Sequence, residues 1–599
     1  MQGDAIHRER RVAIALFLVV AAFAAYPPVY VVMTRGDRGV ASYVGGDALL
    51  YLTIARNSRW GFFTFDGTMP TNGFHPLWQY FLTALIPAST APGSMHPLWI
   101  AFTCSLIAVS IGAGLTAVAI FRYTRSPWLG LLTVPGVYYF LCGSLFSNMS
   151  IWACVSGMEA GFSTLFGGIF FYLLARATTN PERDFDRSPY QPARAPSPWL
   201  WMGLVLPFMV LSRLDDVFVV VGLLAVILIL DRHRSPLRDR LVAAAQLAGP
   251  TCVAVAGYMV FNKVYAGSAL PVSGKAKSGL AVVQNVYVTL AGLFPPLVDL
   301  KNAVATKKSH PQDLFGNAFR WSELVVPALI AGGYIAWFLG LRARDRQPVL
   351  SPAGGLIEGA TVAEPPSPTM RYALPVGIAI GVILKAFYNI VNVNYWHQAD
   401  WYYAFACLTV SFLFAIPLGP WLERLAKIPV LRRIVPAAYL IYVFMAAGRA
   451  IANNEWNAEN NQEFDFIADR QQISKKLFEG HPDVRLLAFD DGLTGYTLGF
   501  PTMHGFAFAG DIESLRALRE GRLLRLAYAR GHKILTGPTY LALTTPLPTS
   551  DAAREFLRSS FLDDRVKSEL DQFDFRLVYV TQGTDAPFFE FVPRNLATP

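Results

Sequence analysis

The chain has 599 residues, of which 53% are hydrophobic and 16% charged, where an average soluble domain is about a quarter charged. That composition excludes a disordered tail protein, a coiled coil and an ordinary cytosolic enzyme. The net charge is +9, from 51 Lys+Arg against 42 Asp+Glu. The basic residues fall in short clusters between apolar segments and form no stripe with interleaved aromatics, so they report orientation in a membrane rather than nucleic-acid binding.

The first apolar run, Val12 to about Met33, follows His7, Arg8, Arg10 and Arg11 and is too long for the core of a cleaved signal peptide, so it reads as a retained anchor. Further spans are predicted near 97–121, 128–146, 159–176, 198–211, 217–231, 241–262, 323–341, 371–390, 402–417 and 435–451. Each approaches or reaches the roughly 20 residues that cross a bilayer. The fold class predicted is a polytopic α-helical membrane protein with about eleven transmembrane helices.

With the N-terminus in the cytoplasm, Arg122/Arg125, the stretch with Arg183, Arg187 and Arg194, Arg232–Arg240, Arg342–Arg346 and Arg424–Arg433 all fall on that side, as the positive-inside rule requires. Arg35 and Arg38 dissent locally. The segment from Pro76 to Pro87 is too short to span and is predicted as an interfacial or re-entrant helix, with Trp78 and Tyr80 suited to the headgroup zone; the stretch 281–298 is expected to lie on the membrane similarly. The predicted division is a membrane domain over 1–451, with a first outer loop at 34–96, and an extracytoplasmic α/β domain over 452–599. In the latter, strand-like runs at 484–489 and 575–580 alternate with helix-like stretches at 512–530 and 551–572.

The five cysteines (Cys104, Cys142, Cys154, Cys252, Cys407) lie in or beside apolar segments and have no C-x-x-C spacing, which supports neither a zinc site nor a disulfide framework. No set of His and carboxylate ligands stands out, so no metal or other cofactor is assigned, although a divalent metal remains compatible.

Asp47, about fourteen residues beyond the first span, is placed at the bilayer surface, where its carboxylate could take the proton of an attacking hydroxyl or simply cap the helix that starts at Ala48. Asn72 and His75, just before the short helix at Pro76, could bind a sugar or satisfy loop backbone. Glu159, at the start of the fourth span, could bind hydroxyls or cap its helix.

In order along the chain, Asp47-Ala48, then Ala55-Arg56-Asn57, then Thr71-Asn72-Gly73-Phe74-His75-Pro76-Leu77-Trp78 resemble the first loop of GT-C glycosyltransferases, and most closely that of the actinobacterial arabinofuranosyltransferases. Ser156-Gly157-Met158-Glu159 resembles the family's S-G-x-E-T, and Ser212-Arg213-Leu214-Asp215-Asp216 its T-R-P-E-G hairpin tip. Tyr265 to Pro271 with Lys277 resembles its Y-x-G-x-x-L-P segment, and Asp490-Asp491-Gly492 a turn of the tail. The likeness covers about residues 12–280. Three features depart from the pattern: the acid pair is reduced to Asp47 after Gly46, the hairpin tip lacks its proline, and Val272 follows Leu270-Pro271.

The resemblance implies an inverting glycosyltransferase of a bacterial cell membrane. Such an enzyme moves a sugar from a polyprenyl-phosphate donor to an extracytoplasmic cell-envelope glycan or glycolipid acceptor. It implies Asp47 as general base and cations for the departing phosphate, for which Arg213, Lys277, Lys275 and Lys385 are the candidates. Each also has an ordinary explanation: pairing with Asp215 or Asp216 for Arg213, solvation for Lys275 and Lys277, snorkelling for Lys385. His397 and Asp400, within the aromatic run Asn394–Tyr402, are candidate acceptor contacts. The competing expectation is a transporter or flippase without chemistry, which would set its polar groups near the bilayer midplane.

Overall fold

The computed structural model describes residues 2–58, 62–131, 154–179, 197–230, 236–278, 328–341, 370–393, 402 and 404–594, less short gaps at 426, 482, 491, 538–542, 544–546, 561–563 and 582–583. His397, Asp400, the stretch 281–298 and most of the predicted span 128–146 lie outside the described residues.

In chain order the helices are α1 (Gln2–Tyr43), α2 (Ala48–Asn57), α3 (Pro76–Leu85), α4 (Met95–Thr124), α5 (Ala160–Thr179), α6 (Pro198–Ser212), α7 (Val217–Ala225) and α8 (Leu237–Ala266). They continue with α9 (Val272–Lys277), α10 (Ala328–Leu341), α11 (Met370–Asn392), α12 (Ala404–Leu425) and α13 (Pro429–Glu459). Among the described residues, six helices are long and apolar enough to cross a membrane; α6, α10 and the Ala404–Gly419 part of α12 are shorter apolar helices. Val253, Val264, Phe387, Phe444 and Met445 are each more than half exposed on the helices that carry them. Such outward apolar faces suit a lipid surround.

α1 runs on past Met33 to Tyr43, with a break at Gly36 (φ +55°). Its extension explains the dissenting cations. Arg35 pairs with Glu459 at 2.7 Å and Arg38 with Asp465, so these charges are matched by acids at the far end of α13 and just beyond it.

Small residues set the helix spacing where it matters. A Cβ on Gly168 of α5 would stand 2.3 Å from the Gly112 carbonyl of α4, so only glycine allows that approach. Likewise, a Cβ on Gly222 of α7 would stand 2.0 Å from the Gly377 carbonyl of α11, and one on Gly381 would stand 2.6 Å from the Val219 Cα. This second contact brings the two backbones together one helical turn before Lys385.

The short helix α3 does form, but Trp78 is fully buried and its indole N–H donates to the Gly157 carbonyl at 2.8 Å. The headgroup-anchor expectation for Trp78 is therefore corrected: it is a core residue that joins the first loop to the segment before α5. Tyr80 is 38% exposed.

After α13 come α14 (Gln462–Ala468), α15 (Arg470–Gly480), β1 (Leu486–Ala488), α16 (Leu493–Leu498), β2 (Thr502–His504), α17 (Ile512–Arg519) and α18 (Leu523–Ala529). They are followed by β3 (Ile534–Thr536), α19 (Ser550–Ser560), α20 (Asp564–Glu569), β4 (Phe573–Val580) and β5 (Pro587–Pro593). The sheet has the order β2-β1-β3-β5-β4. β1 is parallel to β2 and β3, and β5 is antiparallel to both β3 and β4. The helix-like stretch 512–530 divides in two at Gly521, which takes φ +65° and so ends α17.

This unit is stitched to the first loop. Leu49, Leu50, Phe65 and Trp78 share one buried cluster with Leu486, Leu493, Tyr496 and Phe508. Arg56, buried, donates to the carbonyls of Tyr496 at 2.7 Å and Gly495 at 2.9 Å.

Candidate active site

The carboxylate of Asp47 decides between capping and chemistry. Gly46 takes φ +56° and turns the chain so that Asp47 stands at the N-cap position of α2, yet its side chain makes no capping hydrogen bond. Instead, Asp47 Oδ2 meets Lys277 Nζ at 2.9 Å. The same ammonium donates to the Tyr402 hydroxyl at 3.0 Å. Burial opposes the charge on Lys277, but Asp47 and Tyr402 together outweigh it and raise its pKa. The solvated-lysine expectation for Lys277 is corrected accordingly.

Arg213 sits beside this pair, its guanidinium 4.0 Å from the centroid of the Tyr402 ring. It is buried, with Nη1 2.7 Å from Glu159 Oε1 and Nε 2.9 Å from Asp215 Oδ1. Pairing with Asp215 is thus real, and Glu159 adds a second acid. The other Glu159 oxygen accepts from the Tyr51 hydroxyl at 3.1 Å.

Tyr51 lies four residues after Asp47, on the same face of α2, and its hydroxyl also receives the His75 backbone N–H at 3.2 Å. Burial, reinforced by Glu159, raises the Tyr51 pKa. His75 Nε2 is 3.5 Å from Glu159 Oε1; burial lowers the imidazole pKa despite that acid, which keeps the ring neutral.

Lys385 does not snorkel. It is 4% exposed, with its ammonium 2.6 Å from Asp216 Oδ1 and 3.4 Å from Asp215 Oδ2. Asp216 Oδ2 accepts from the Ser163 hydroxyl at 2.6 Å. The chain Ser163–Asp216–Lys385–Asp215–Arg213–Glu159–Tyr51 therefore links α5, α11, the 3-10 turn Leu214–Asp216 and α2. A buried charge without a partner is costly, so each cation here holds the element that brings its acid.

The motif around Asn72 is a junction. The Thr71 hydroxyl donates to the Gly510 carbonyl at 2.7 Å. Asn72 is fully buried; its amide donates to Ser268 O at 3.0 Å and Leu270 O at 3.3 Å, and its carbonyl accepts from Val272 N at 3.1 Å. A Cβ on Gly73 would stand 2.0 Å from the Phe508 carbonyl. Three consecutive residues thus pin the tail unit and the segment leading into α9, and so place Lys277 beside Asp47. Lys275 stands outside the ion-pair cluster; its carbonyl receives Arg519 at 2.7 Å.

The tail adds an aromatic wall. Phe508 lies with its ring centroid 4.9 Å from Lys277 Nζ, stacked on Phe506 and beside His504. Among the described residues, no group of three or more His, Cys, Asp or Glu could hold a metal ion.

No protein-family model matches the sequence, and no curated protein sequence matches it. The structure is similar to the archaeal oligosaccharyltransferase AglB from Archaeoglobus fulgidus in complex with an inhibitory peptide and a dolichol-phosphate. The identity is 12% and the TM-score 0.45, over 98% of this chain and 75% of that one. A second structure of the Archaeoglobus fulgidus oligosaccharyltransferase, with Zn and sulfate, aligns at 12% identity and a TM-score of 0.47, over 96% of this chain and 73% of that one.

Sequence reasoning missed Tyr402, Phe508, Glu463 and the partnership of Lys385 with the Asp215-Asp216 pair. Tyr402 was hidden among the interface aromatics of its neighbourhood. Glu463 packs on the turn before Asp47: its Oε2 lies 2.2 Å from where a Cβ of Gly45 would be. Nothing in the sequence ties positions so distant. Tyr51 carried a signal, its four-residue spacing from Asp47.

Proposed function

We propose that this protein is a GT-C-type glycosyltransferase that moves a sugar from a polyprenyl-phosphate donor to an acceptor hydroxyl outside the cytoplasm. The observation that carries this reading is the meeting of Asp47 with Lys277, 230 residues away in the sequence, and of Lys277 and Arg213 with one phenol, with Asp47 excused from helix capping.

In this reading the Asp47 carboxylate accepts the acceptor's hydroxyl proton while that oxygen attacks the anomeric carbon. The bond from the anomeric carbon to the phosphate oxygen breaks, and the electron pair leaves with the lipid phosphate. Attack opposite the leaving group inverts the centre. Arg213 presents a fork to phosphate oxygens and Lys277 a point charge, and both offset the charge that grows there. A phosphate that draws Lys277 toward itself releases Asp47 at the moment a base is required. Lys385 serves as a brace for Asp215 and Asp216, and Asn72 as a brace for α9. Glu159 and His75 border the space beside Arg213.

The membrane-facing helices suit a donor that cannot leave the bilayer. The orientation proposed has the N-terminus in the cytoplasm and the 452–599 unit outside, where it covers the first loop. Mass spectrometry of cell-envelope glycans and glycolipids, with and without the gene, tests the reading. Loss of one sugar residue from an envelope glycan supports it; an unchanged envelope, with labelled solute taken up by proteoliposomes, replaces it with the transporter.

A further inference from the structure

Two cations of the cluster converge on one aromatic residue. Tyr402 receives the Lys277 ammonium at its hydroxyl, 3.0 Å away, and the Arg213 guanidinium over its ring, 4.0 Å from the centroid. Like charges this near repel unless something between them attracts both. The phenol offers two attractions: the hydroxyl oxygen for the ammonium, which also lies 5.6 Å from the ring centroid, and the negative ring face for the guanidinium. Each cation is also held from behind, Lys277 by Asp47 and Arg213 by Glu159 and Asp215.

We propose that Tyr402 is a positioning residue that gauges the separation of Lys277 and Arg213, so that the two together grip the single phosphate of a lipid donor, a diester before sugar transfer and a monoester after it. The proposal rests on the glycosyltransferase reading and deepens it. Tyr402 touches the cations and not the reacting atoms, so its effect runs through them. The two contacts are also separable: phenylalanine removes the hydroxyl and keeps the ring, while leucine removes both.

The test uses the purified full chain in detergent, with a sugar-free polyprenyl monophosphate as probe and the matching polyprenol as the neutral control, read by native mass spectrometry. Tyr402→Phe is expected to weaken phosphate binding about two- to tenfold, the scale of one lost hydrogen bond. Tyr402→Leu is expected to weaken it further by a similar factor, the scale of a lost cation–ring contact. Polyprenol binding and the thermal midpoint of Tyr402→Phe should stay at parental values. In a Lys277→Met background, Tyr402→Phe should add nothing, whereas Tyr402→Leu should still weaken binding through Arg213. An additive effect of Tyr402→Phe on Lys277→Met, or equal loss of polyprenol and phosphate binding, overturns the positioning role. If the unaltered chain binds polyprenol and its monophosphate alike, the donor reading itself falls, an outcome separate from any behaviour of the variants.

Discussion

Replacing Asp47 with Asn tests base and ion pair at once. The Lys277 ammonium stands 2.9 Å from Asp47 with both side chains largely buried, 14% and 12% exposed. At an effective dielectric constant of about 20, two unit charges at that separation attract by about 6 kcal/mol, and desolvation takes back a large share. Asn leaves the ammonium with the Tyr402 hydroxyl and no counter-charge from α2, so Asp47→Asn should cost about 3 kcal/mol of stability. Adding Lys277→Met removes the stranded charge and should return most of that loss. Sugar transfer should behave otherwise. A missing general base costs about 10²–10⁴-fold, and Met supplies neither base nor cation, so the double variant should be stable and inactive. The assay pairs the thermal midpoint in detergent with the envelope glycan profile of a gene-deleted strain complemented by each variant. Asp47→Asn that restores the glycan at parental levels, or a double variant that transfers sugar, would refute the base assignment.

Other expectations follow from single contacts. Gly222→Val forces a side chain to within 2.0 Å of the Gly377 carbonyl, so it should part α7 from α11 and lower stability by about 1–3 kcal/mol or more. Gly249→Ala, with nothing within 4 Å of its Cβ, should be neutral or slightly stabilising, and thermal melts distinguish the two. Asn72→Leu removes three bonds to residues 268–272; proteolysis within residues 268–278 should accelerate, and sugar transfer should fall as Lys277 loses its place. His504 and His532 are buried, with burial lowering each imidazole to about 4 from about 6.5 in the unfolded chain. On acidification the unfolded state therefore takes up the protons first. The stability is complete above about pH 6.5 and is lost as pH falls toward 4, by about 3 kcal/mol per histidine. Melts across that window should show the loss for the parent and a shallower one for His532→Gln.

The sequence made some of this visible for a physical reason. Asp47, Glu159, Arg213 and Lys277 stood out in the sequence through the ordered motifs that resemble those of GT-C glycosyltransferases, and Lys385 as an ionisable residue inside an apolar span of a chain only 16% charged. The tail likewise announced its strands at 484–489 and 575–580, where β1 and β4 lie. Pairing was not visible. Lys385 meets Asp216 across 169 residues only because Gly222, Gly377 and Gly381 let two backbones touch, and glycine in an apolar run reads as composition until its neighbour is known. The sequence also gave no reason to take Trp78 off the membrane surface, since an indole at a short helix suits a headgroup zone as well as a core.

The arrangement of acids explains why Lys277 and Lys385 depart from their local expectations while the Arg213–Asp215 pair, two residues apart, was legible in the sequence. Asp47, Glu159, Asp215 and Asp216 face Lys277, Arg213 and Lys385, so the cluster is close to neutral as a whole while no member is solvated as an isolated charge would be. Each local expectation, whether snorkelling, solvation or helix capping, treats one residue against water or its own helix. Burial cancels that option for all of them together, because desolvating any one charge becomes tolerable only when its partners are desolvated with it. The cluster therefore forms as a unit, drawing α2, α5, α9, α11 and the Leu214–Asp216 turn to one place. Removing Lys385 should accordingly disturb Arg213 through Asp215: Lys385→Met is expected to reduce binding of a lipid phosphate although Lys385 itself touches none. Unchanged phosphate binding in that variant, with the protein still folded, would show that Arg213 is held by Glu159 alone.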